Sequence, residues 1–255
     1  MYPVLFEVGS FEIRSYGVIV ALSFLIAVWM GSREAQRKGL DPKLVQDFAA
    51  YALLGGIIGA RLYFVLFSAP DYFLKHPWEI FAVWSGGIGI IGALLGGFLV
   101  AVWFCRRRKI SLLRFGDTLA PGMALGQTVG QFACLLNGDS YGRPTNVPWA
   151  ITYTDPRSLA PLNIPLHPIE IYEMIAYFLV FLLIWNTRKK YASDGFALFT
   201  YFAGYGMARF LTDFFRGDPA MFAWRLQAAQ VFGVAMILAA LIGFLLLRKK
   251  LKFAR

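Results

Sequence analysis

A polar, glycine-rich stretch at residues 126–148 is the part of the chain best suited to chemistry. It reads GQTVGQFACLLNGDSYGRPTNVP and ends in a polar turn that carries Asn137, Asp139, Tyr141 and Arg143. Glycine allows a backbone to approach a bound molecule closely, and amide, carboxylate and guanidinium groups bind its polar atoms. We therefore predict that this turn lines a substrate site.

Two arginines, Arg61 and Arg209, stand inside apolar segments. A charged side chain in a membrane-spanning helix costs roughly 2.5–3.5 kcal/mol on insertion scales, so each is expected to pair or to face a wet cavity. Arg209 and Asp213 are four residues apart and can form a pair on one helix face. Arg61 can instead extend its guanidinium to the membrane surface. The sequence leaves these alternatives open.

The composition indicates an all-α membrane protein. Of the 255 residues, 58% are apolar and only 16% are charged, and the mean hydropathy is +0.57; soluble domains carry about 25% charged residues. Several apolar windows are long enough to cross a bilayer. Cys105 and Cys134 lie in such windows, and their spacing indicates neither a metal site nor a redox pair. We expect no metal and no cofactor.

The hydropathy pattern predicts one polytopic domain over residues 1–255, with seven transmembrane helices and an extracytoplasmic loop region at residues 137–167. Segments with polar or small residues alternate with strongly apolar ones. The predicted spans are residues 16–30, 48–67, 87–105, 117–136, 168–185, 195–215 and 228–247.

The basic residues predict the orientation. Most of the 25 Lys and Arg residues fall in alternate loops and at the C-terminal end. The positive-inside rule makes these loops cytoplasmic, with the N-terminus outside and the C-terminus inside. These cytoplasmic basic residues also account for the net charge of +10. Since no loop is large enough to form a basic face, we expect no nucleic-acid partner.

With this topology, the polar residues inside the spans share one depth, at the headgroups of the outer leaflet. Such a level suits a ligand that is half lipid and half polar. The residues concerned are Tyr16, Arg61, Gln131, Asn137, Glu170, Glu173, Arg209 and Asp213.

Glycines recur in the second and third spans. The second span carries Gly55, Gly56 and Gly59, and the third contains GGIGIIGALLGG. The spacing of Gly92 and Gly96 lets helices approach closely. Helix packing explains this pattern, and so does a bare backbone against which acyl chains or a headgroup can lie.

Six motifs in order resemble the prolipoprotein diacylglyceryl transferase family, nearly from end to end of the chain. They are FEIRSYGVIVALSF, GGIIGARLYFVLF, WSGGIGIIGALLGG, GQTVGQFACLLNGDSYGRPTNVPWAI, HPIEIYE and GYGMARFLTDFFRGD. The resemblance implies a multi-pass enzyme of the bacterial plasma membrane with its site at the outer leaflet. It also implies transfer of a diacylglyceryl group from phosphatidylglycerol to the lipobox cysteine of a prolipoprotein, which forms a thioether and releases glycerol phosphate.

The resemblance also implies roles for individual residues. The catalytic candidates are Arg209, Tyr16, Glu170 and His167, where thiol activation falls to Glu170, to His167 or to local positive potential. The candidates for substrate binding are Gln131, Arg61, Asn137, Gly142, Arg143 and Arg216.

The chain departs from the family pattern at four positions. Ile91 stands where members have His or Tyr, and Gln131 replaces the signature arginine that is implied to bind the headgroup. Ala133 replaces a glycine and Cys134 an asparagine. A second hypothesis is therefore an altered or inactive paralogue that binds lipid or lipoprotein in the same cavity.

Other seven-helix classes fit less well. A retinal protein needs a lysine in its last span, and residues 228–247 contain none. A channel or transporter needs polar groups across the membrane, whereas the cytoplasmic half of these spans is apolar. Membrane lipid and the precursor's signal peptide are the expected partners, and nothing in the sequence calls for more than a monomer.

Overall fold

The computed structural model describes residues 2–8, 11–82, 84, 86–87, 89–191, 193–217 and 228–253. The described chain is mostly helical. Its α-helices are α1 (Ser15–Arg37), α2 (Lys43–Tyr63), α3 (Pro70–Lys75), α4 (Ile90–Arg108), α5 (Leu112–Asn137), α6 (Ile169–Thr187), α7 (Phe196–Thr212) and α8 (Ala228–Phe253).

Each of the seven predicted spans coincides with one of these helices, and α3 was not predicted. Among the described residues, five segments are long and apolar enough to cross a membrane, namely Ser15–Arg37, Lys43–Ser68, Ile90–Arg108, Ile169–Thr187 and Ala229–Arg248. The helices α5 and α7 are not among the five, and α7 has only 17 residues. Large apolar side chains such as Phe98 and Leu99 are exposed on α4, as expected of a surface that faces lipid.

Short strands add to the helices and were not predicted. Strands β1 (Val4–Val8) and β2 (Phe11–Arg14) form an antiparallel pair before α1. Strands β3 (Ile151–Thr152) and β4 (Pro165–Leu166) pair antiparallel in the segment between α5 and α6. This pairing gives the predicted loop region at 137–167 a small core around Tyr153 and Leu166.

The chain divides into two compact units. The first comprises residues 1–31 and 116–255, and the second residues 32–115. In the second unit, glycines bring α2 and α4 together: a Cβ added at Gly92 would lie 2.2 Å from the Gly59 carbonyl oxygen. No larger residue fits there without a shift of the helices, which supports the packing interpretation of the glycine pattern.

In the first unit, α6, α7 and α8 pack together. A core cluster contains Phe181 and Ile184 of α6 and Tyr201 of α7. The buried carboxylate of Asp117, in α5, accepts hydrogen bonds from the backbone N–H groups of Gly195 (2.8 Å) and Leu198 (2.9 Å). An acidic group suits this position, because the first N–H groups of a helix lack partners within the helix. Asp117 thereby fixes the start of the helix that carries Arg209.

Candidate active site

An arginine–carboxylate cluster joins α6 to the end of α7. Arg209 Nη1 donates to Glu173 Oε1 at 2.5 Å, and Arg209 Nη2 lies 3.8 Å from Asp213 Oδ1. Arg216, just beyond α7, lies 3.7 Å from Glu173 Oε1 and 3.9 Å from Asp213 Oδ1. Two guanidiniums therefore share two carboxylates.

The cluster is almost shielded from solvent. The side chains of Glu173 and Asp213 are 1% and 2% exposed, and those of Arg209 and Arg216 are 15% and 12% exposed. Buried charges are tolerated when they are paired and hydrogen-bonded. Thr212, one turn after Arg209, supports the pairing by donating to Glu173 Oε1 at 3.2 Å. The carboxylates thus hold the guanidiniums in place, and the pairing offsets part of the desolvation cost.

The backbone of the polar turn after α5 reaches the same cluster. Gly142 and Arg216 form an antiparallel bridge, in which Arg143 N donates to Phe215 O at 2.8 Å and Gly217 N donates to Tyr141 O at 3.0 Å. A Cβ on Gly142 would lie 2.2 Å from the His167 carbonyl oxygen. Glycine is required here because three backbone segments meet.

Side chains of this turn also contact Arg216. Ser140 Oγ accepts from Arg216 Nη2 at 3.2 Å, and Arg143 Nε donates to the Arg216 carbonyl oxygen at 2.9 Å. Arg216 is therefore held by the turn through its side chain and through its backbone. The exposed guanidinium of Arg143 lies outside the buried cluster.

Glu170 begins α6 beside this cluster and is fully buried. Its Oε1 accepts a 2.8 Å hydrogen bond from the Tyr153 hydroxyl. Burial and the neighbouring Glu170 carboxylate raise the pKa of Tyr153, so its hydroxyl stays protonated as a donor. Tyr153 lies in the folded loop between α5 and α6 and ties that loop to the start of α6.

The end of α5 brings further polar groups close to Glu170. Asp139 interacts with the side chains of Cys134 and Asn137, and burial raises the pKa of its carboxyl. Tyr16 of α1 lies within electrostatic reach of Cys134 and Asp139. The Asn137 carbonyl oxygen accepts from Leu159 N at 3.1 Å, which anchors the loop to the helix end.

His167 stands just before α6 in an aromatic and polar setting. Its Nδ1 lies 3.3 Å from the Tyr172 hydroxyl, which also accepts a 2.6 Å hydrogen bond from Trp149 Nε1. Its ring meets the Phe215 ring edge-on at 5.2 Å. Phe215 precedes Arg216, so His167 packs against the segment that carries one of the clustered arginines.

Arg61, in the second unit, has its own set of partners. It is 5% exposed and does not extend to a surface. Its Nε donates to Ile80 O at 2.9 Å, its Nη1 to Gly86 O at 2.6 Å and Gly87 O at 3.0 Å, and its Nη2 to Glu79 O. It also stacks over the Phe73 ring at 5.0 Å. The guanidinium thus holds the segment between α3 and α4.

Two of the four substituted positions, Gln131 and Ile91, differ in their surroundings. Gln131 is half-buried in α5, and its Oε1 is buried without a hydrogen-bond partner among the described residues. Ile91 opens α4 in the second unit and is 50% exposed. Neither side chain carries a charge.

The structure brings together most of the predicted site residues of the first unit. Arg209 and Arg216 share the carboxylates of Glu173 and Asp213, and Gly142 bridges to Arg216. Glu170 lies within electrostatic reach of Glu173 and Arg216, and Asn137 and Tyr16 lie within reach of Asp139 at the end of α5. Sequence reasoning missed Tyr153, Ser140 and Thr212. The spacing of Thr212 three residues after Arg209 was an available signal, whereas nothing local indicates that Tyr153 reaches Glu170.

The fold and the cluster define a class of protein: a mostly helical membrane protein with two half-buried, ion-paired arginines next to a polar, glycine-containing turn. The model of the prolipoprotein diacylglyceryl transferase family matches residues 3–246. The chain belongs to that family.

Curated relatives agree with this assignment along nearly the whole chain. Three proteins named phosphatidylglycerol–prolipoprotein diacylglyceryl transferase illustrate it. The one from Synechococcus elongatus is 34% identical, covering 94% of this chain and 86% of the relative. The one from Geobacter sulfurreducens is 34% identical, covering 97% and 96%. The one from Clostridium tetani is 32% identical, covering 96% and 97%.

Proposed function

We propose that this chain transfers the diacylglyceryl group of phosphatidylglycerol to the lipobox cysteine of a prolipoprotein. The cysteine sulfur attacks the phosphate-bearing carbon of the diacylglycerol moiety, not that of the headgroup glycerol. A C–S bond forms, the C–O bond to the phosphate breaks, and glycerol phosphate leaves with that electron pair. The thiol proton passes to a base or to the leaving phosphate.

The buried cluster of Arg209 and Arg216 is the observation that carries the proposal. A phosphodiester that becomes a phosphate monoester gains negative charge as the C–O bond breaks, and guanidinium forks suit that charge. The ion pairs of Arg216 with Glu173 and Asp213 are longer than hydrogen bonds, at 3.7 and 3.9 Å. Both guanidiniums are already largely desolvated, so binding of the phosphate does not add the full cost of removing them from water.

The proposed topology has seven spans. Five are the segments that are apolar enough to cross a membrane alone, and α5 and α7 are the other two. The N-terminus lies outside and the C-terminus in the cytoplasm of a bacterium, and the protein acts as a monomer. This orientation places the cluster at the outer leaflet of the plasma membrane, where both phosphatidylglycerol and the signal peptide of the precursor are accessible. The positive-inside distribution of Lys and Arg supports it.

Thiol activation has three candidate sources. Glu170 and His167 are side chains able to accept a proton, and the positive potential of the two clustered arginines lowers the pKa of a nearby thiol. The contact of His167 Nδ1 with the Tyr172 hydroxyl leaves its Nε2 as the nitrogen available for proton transfer. Tyr16, beside Cys134 and Asp139, is proposed to contact the reacting groups.

The remaining residues are proposed to bind substrate. Gln131 donates a neutral hydrogen bond to the phosphate in place of the family's arginine, and Asn137 and Gly142 shape the turn. Arg143 meets the polar part of the substrate at the exposed edge of the turn. For Arg61, the four carbonyl contacts favour positioning of the segment before α4 over a direct phosphate contact.

The proposal is tested with purified protein in phosphatidylglycerol bilayers and a lipobox peptide. Mass spectrometry should detect the peptide with one added diacylglyceryl group, and release of glycerol phosphate should match it. A peptide with serine in place of the lipobox cysteine is the control. Absence of the adduct from the cysteine peptide contradicts the proposal.

A catalytically altered paralogue is a second candidate, and the uncharged residues Ile91 and Gln131 favour it. Each lacks the group that the family motif provides. The double variant Ile91→His, Gln131→Arg separates the two functions. Thioether formation by the native chain supports the transferase. Lipid binding without thioether formation in both proteins supports the paralogue.

A further inference from the structure

Two buried carboxylates in α6 each have one oxygen with no hydrogen-bond partner among the described residues. Glu170 is 0% exposed and Glu173 is 1% exposed. In each, Oε1 is occupied: Glu170 Oε1 by the Tyr153 hydroxyl, and Glu173 Oε1 by Arg209 and Thr212. Over the described parts of the chain, Oε2 of both residues is buried and has no hydrogen-bond partner. In either protonation state of the carboxyl, that oxygen lacks a contact.

The unpartnered oxygens of Glu170 and Glu173 lie in the same part of the first unit. Glu170 and Glu173 are three residues apart, so their side chains lie on the same face of α6. Cys134, near the end of α5, is within electrostatic reach of both glutamates and of Asp139. Asp139 Oδ1 and Gln131 Oε1 are two more buried oxygens with no partner among the residues that the structure describes. The cluster of Arg209 and Arg216 borders this group through Glu173.

The chemistry of these acceptor oxygens indicates which kind of ligand can bind to them. Native proteins satisfy nearly all buried polar atoms, so several unsatisfied acceptors together point to a bound molecule that donates hydrogen bonds. A cation is disfavoured beside two guanidiniums. The phosphate of a phosphodiester carries no O–H group, so it cannot by itself donate to carboxylate oxygens. A phosphodiester with hydroxyl groups satisfies both halves of the site, because its phosphate suits the arginines and its hydroxyls suit the acceptors.

We propose that Oε2 of Glu170 and Oε2 of Glu173 accept hydrogen bonds from the two free hydroxyls of the phosphatidylglycerol headgroup. The identity of the lipid rests on the proposed function; the need for hydroxyl donors rests on the unsatisfied oxygens. The site thereby selects a polyol phosphodiester from other lipids that carry the same single negative charge.

The test compares three lipids with identical acyl chains and one phosphodiester each. They are phosphatidylglycerol with two headgroup hydroxyls, phosphatidyl-1,2-propanediol with one and phosphatidylpropanol with none. Relative affinities for the purified full-length protein are measured by competition in native mass spectrometry. We expect affinity to fall about tenfold for each hydroxyl removed, since a buried acceptor is then left unpaired.

Variants assign the selectivity to the glutamates. In Glu170→Met, the preference for phosphatidylglycerol over phosphatidylpropanol should shrink about tenfold, while phosphatidylpropanol still binds. The preference is the ratio of two affinities measured on the same variant. A partial loss of folded protein affects both affinities equally and leaves the ratio unchanged. Glu34→Gln, which changes a buried glutamate of α1 that pairs with Arg37, should keep the native ratio.

The outcomes separate this inference from the proposed function. Equal affinity for the three lipids, or no binding of any, overturns the inference; equal affinity would mean that water occupies the acceptors. An unchanged ratio in Glu170→Met overturns the role of Glu170. Hydroxyl selectivity without thioether formation in the peptide assay contradicts the transferase and leaves the inference in place.

Discussion

Arg209 donates a 2.5 Å hydrogen bond to Glu173 of the neighbouring helix α6, although Asp213 lies only four residues after Arg209 in the sequence. This contact is closer than the 3.8 Å contact between Arg209 and Asp213, which lies directly after α7. Arg209 therefore links α6 to α7 and holds its guanidinium at the same time.

Arg209→Lys should lower kcat/KM for thioether formation by about 10- to 100-fold. Lysine keeps the charge but loses the planar fork, and loss of a charge-assisted contact costs about 1.5–3 kcal/mol. The peptide assay measures it. Arg157→Lys, at an exposed arginine paired with Asp155 and Glu7, should retain native activity. Equal rates for native protein and Arg209→Lys would contradict a role for the guanidinium fork.

Arg61→Gln should loosen the segment between α3 and α4. Glutamine cannot reach the four carbonyl oxygens of Glu79, Ile80, Gly86 and Gly87 together. Hydrogen exchange should rise at residues 79–82 and 86–87, and the free energy of unfolding should fall by about 2–4 kcal/mol.

Arg108→Gln is the matched control for Arg61, because it removes an exposed ion pair with Asp47 that is worth about 0–1 kcal/mol. A weaker apparent affinity of Arg61→Gln for phosphatidylglycerol with native hydrogen exchange would favour the phosphate-binding role instead.

Gly142→Ala should disrupt the bridge to Arg216. The added Cβ would lie 2.2 Å from the His167 carbonyl oxygen and 2.7 Å from the His167 Cβ, so the turn must move away from Arg216. We expect a loss of about 1–3 kcal/mol of stability and lower transfer activity. In Gly130→Ala the new Cβ meets only Ser23 Oγ at 3.7 Å, and both quantities should stay near native. A native melting temperature in Gly142→Ala would argue against the tight meeting of three segments.

Gly92→Ala should separate α2 from α4. Its Cβ would meet the Gly59 carbonyl oxygen at 2.2 Å, and overpacking typically costs about 1–3 kcal/mol. Gly97→Ala lies on the same helix with nothing within 4 Å and should be neutral or stabilising by up to about 1 kcal/mol. Thermal unfolding in detergent measures both. Equal melting temperatures for Gly92→Ala and Gly97→Ala would contradict the prediction.

Much of the fold could be predicted from the sequence. The seven apolar segments correspond to helices because length and hydropathy are local properties that each helix satisfies alone. The short helix α3 and the two strand pairs were missed, since their residues carry no long apolar period and pair only through contacts with other segments.

The candidate site was predicted in part. The i, i+4 spacing of Arg209 and Asp213 correctly placed them on one face, and the glycine motif correctly marked close helix packing. The fate of Arg61 could not be predicted, because a buried guanidinium pairs with whichever carbonyl groups the chain folds around it. Tyr153 was missed because it reaches Glu170 from a loop.

The sequence by itself determined that this chain is helical and apolar, where its long helices run and which family it resembles. Only the tertiary structure decided that Glu173 holds Arg209, that Gly142 meets Arg216 and that two carboxylate oxygens on α6 have no donor among the described residues. The reason is physical. Period and composition fix what lies along one helix, whereas partners on different helices depend on crossing angles and on a folded loop, which no local pattern specifies.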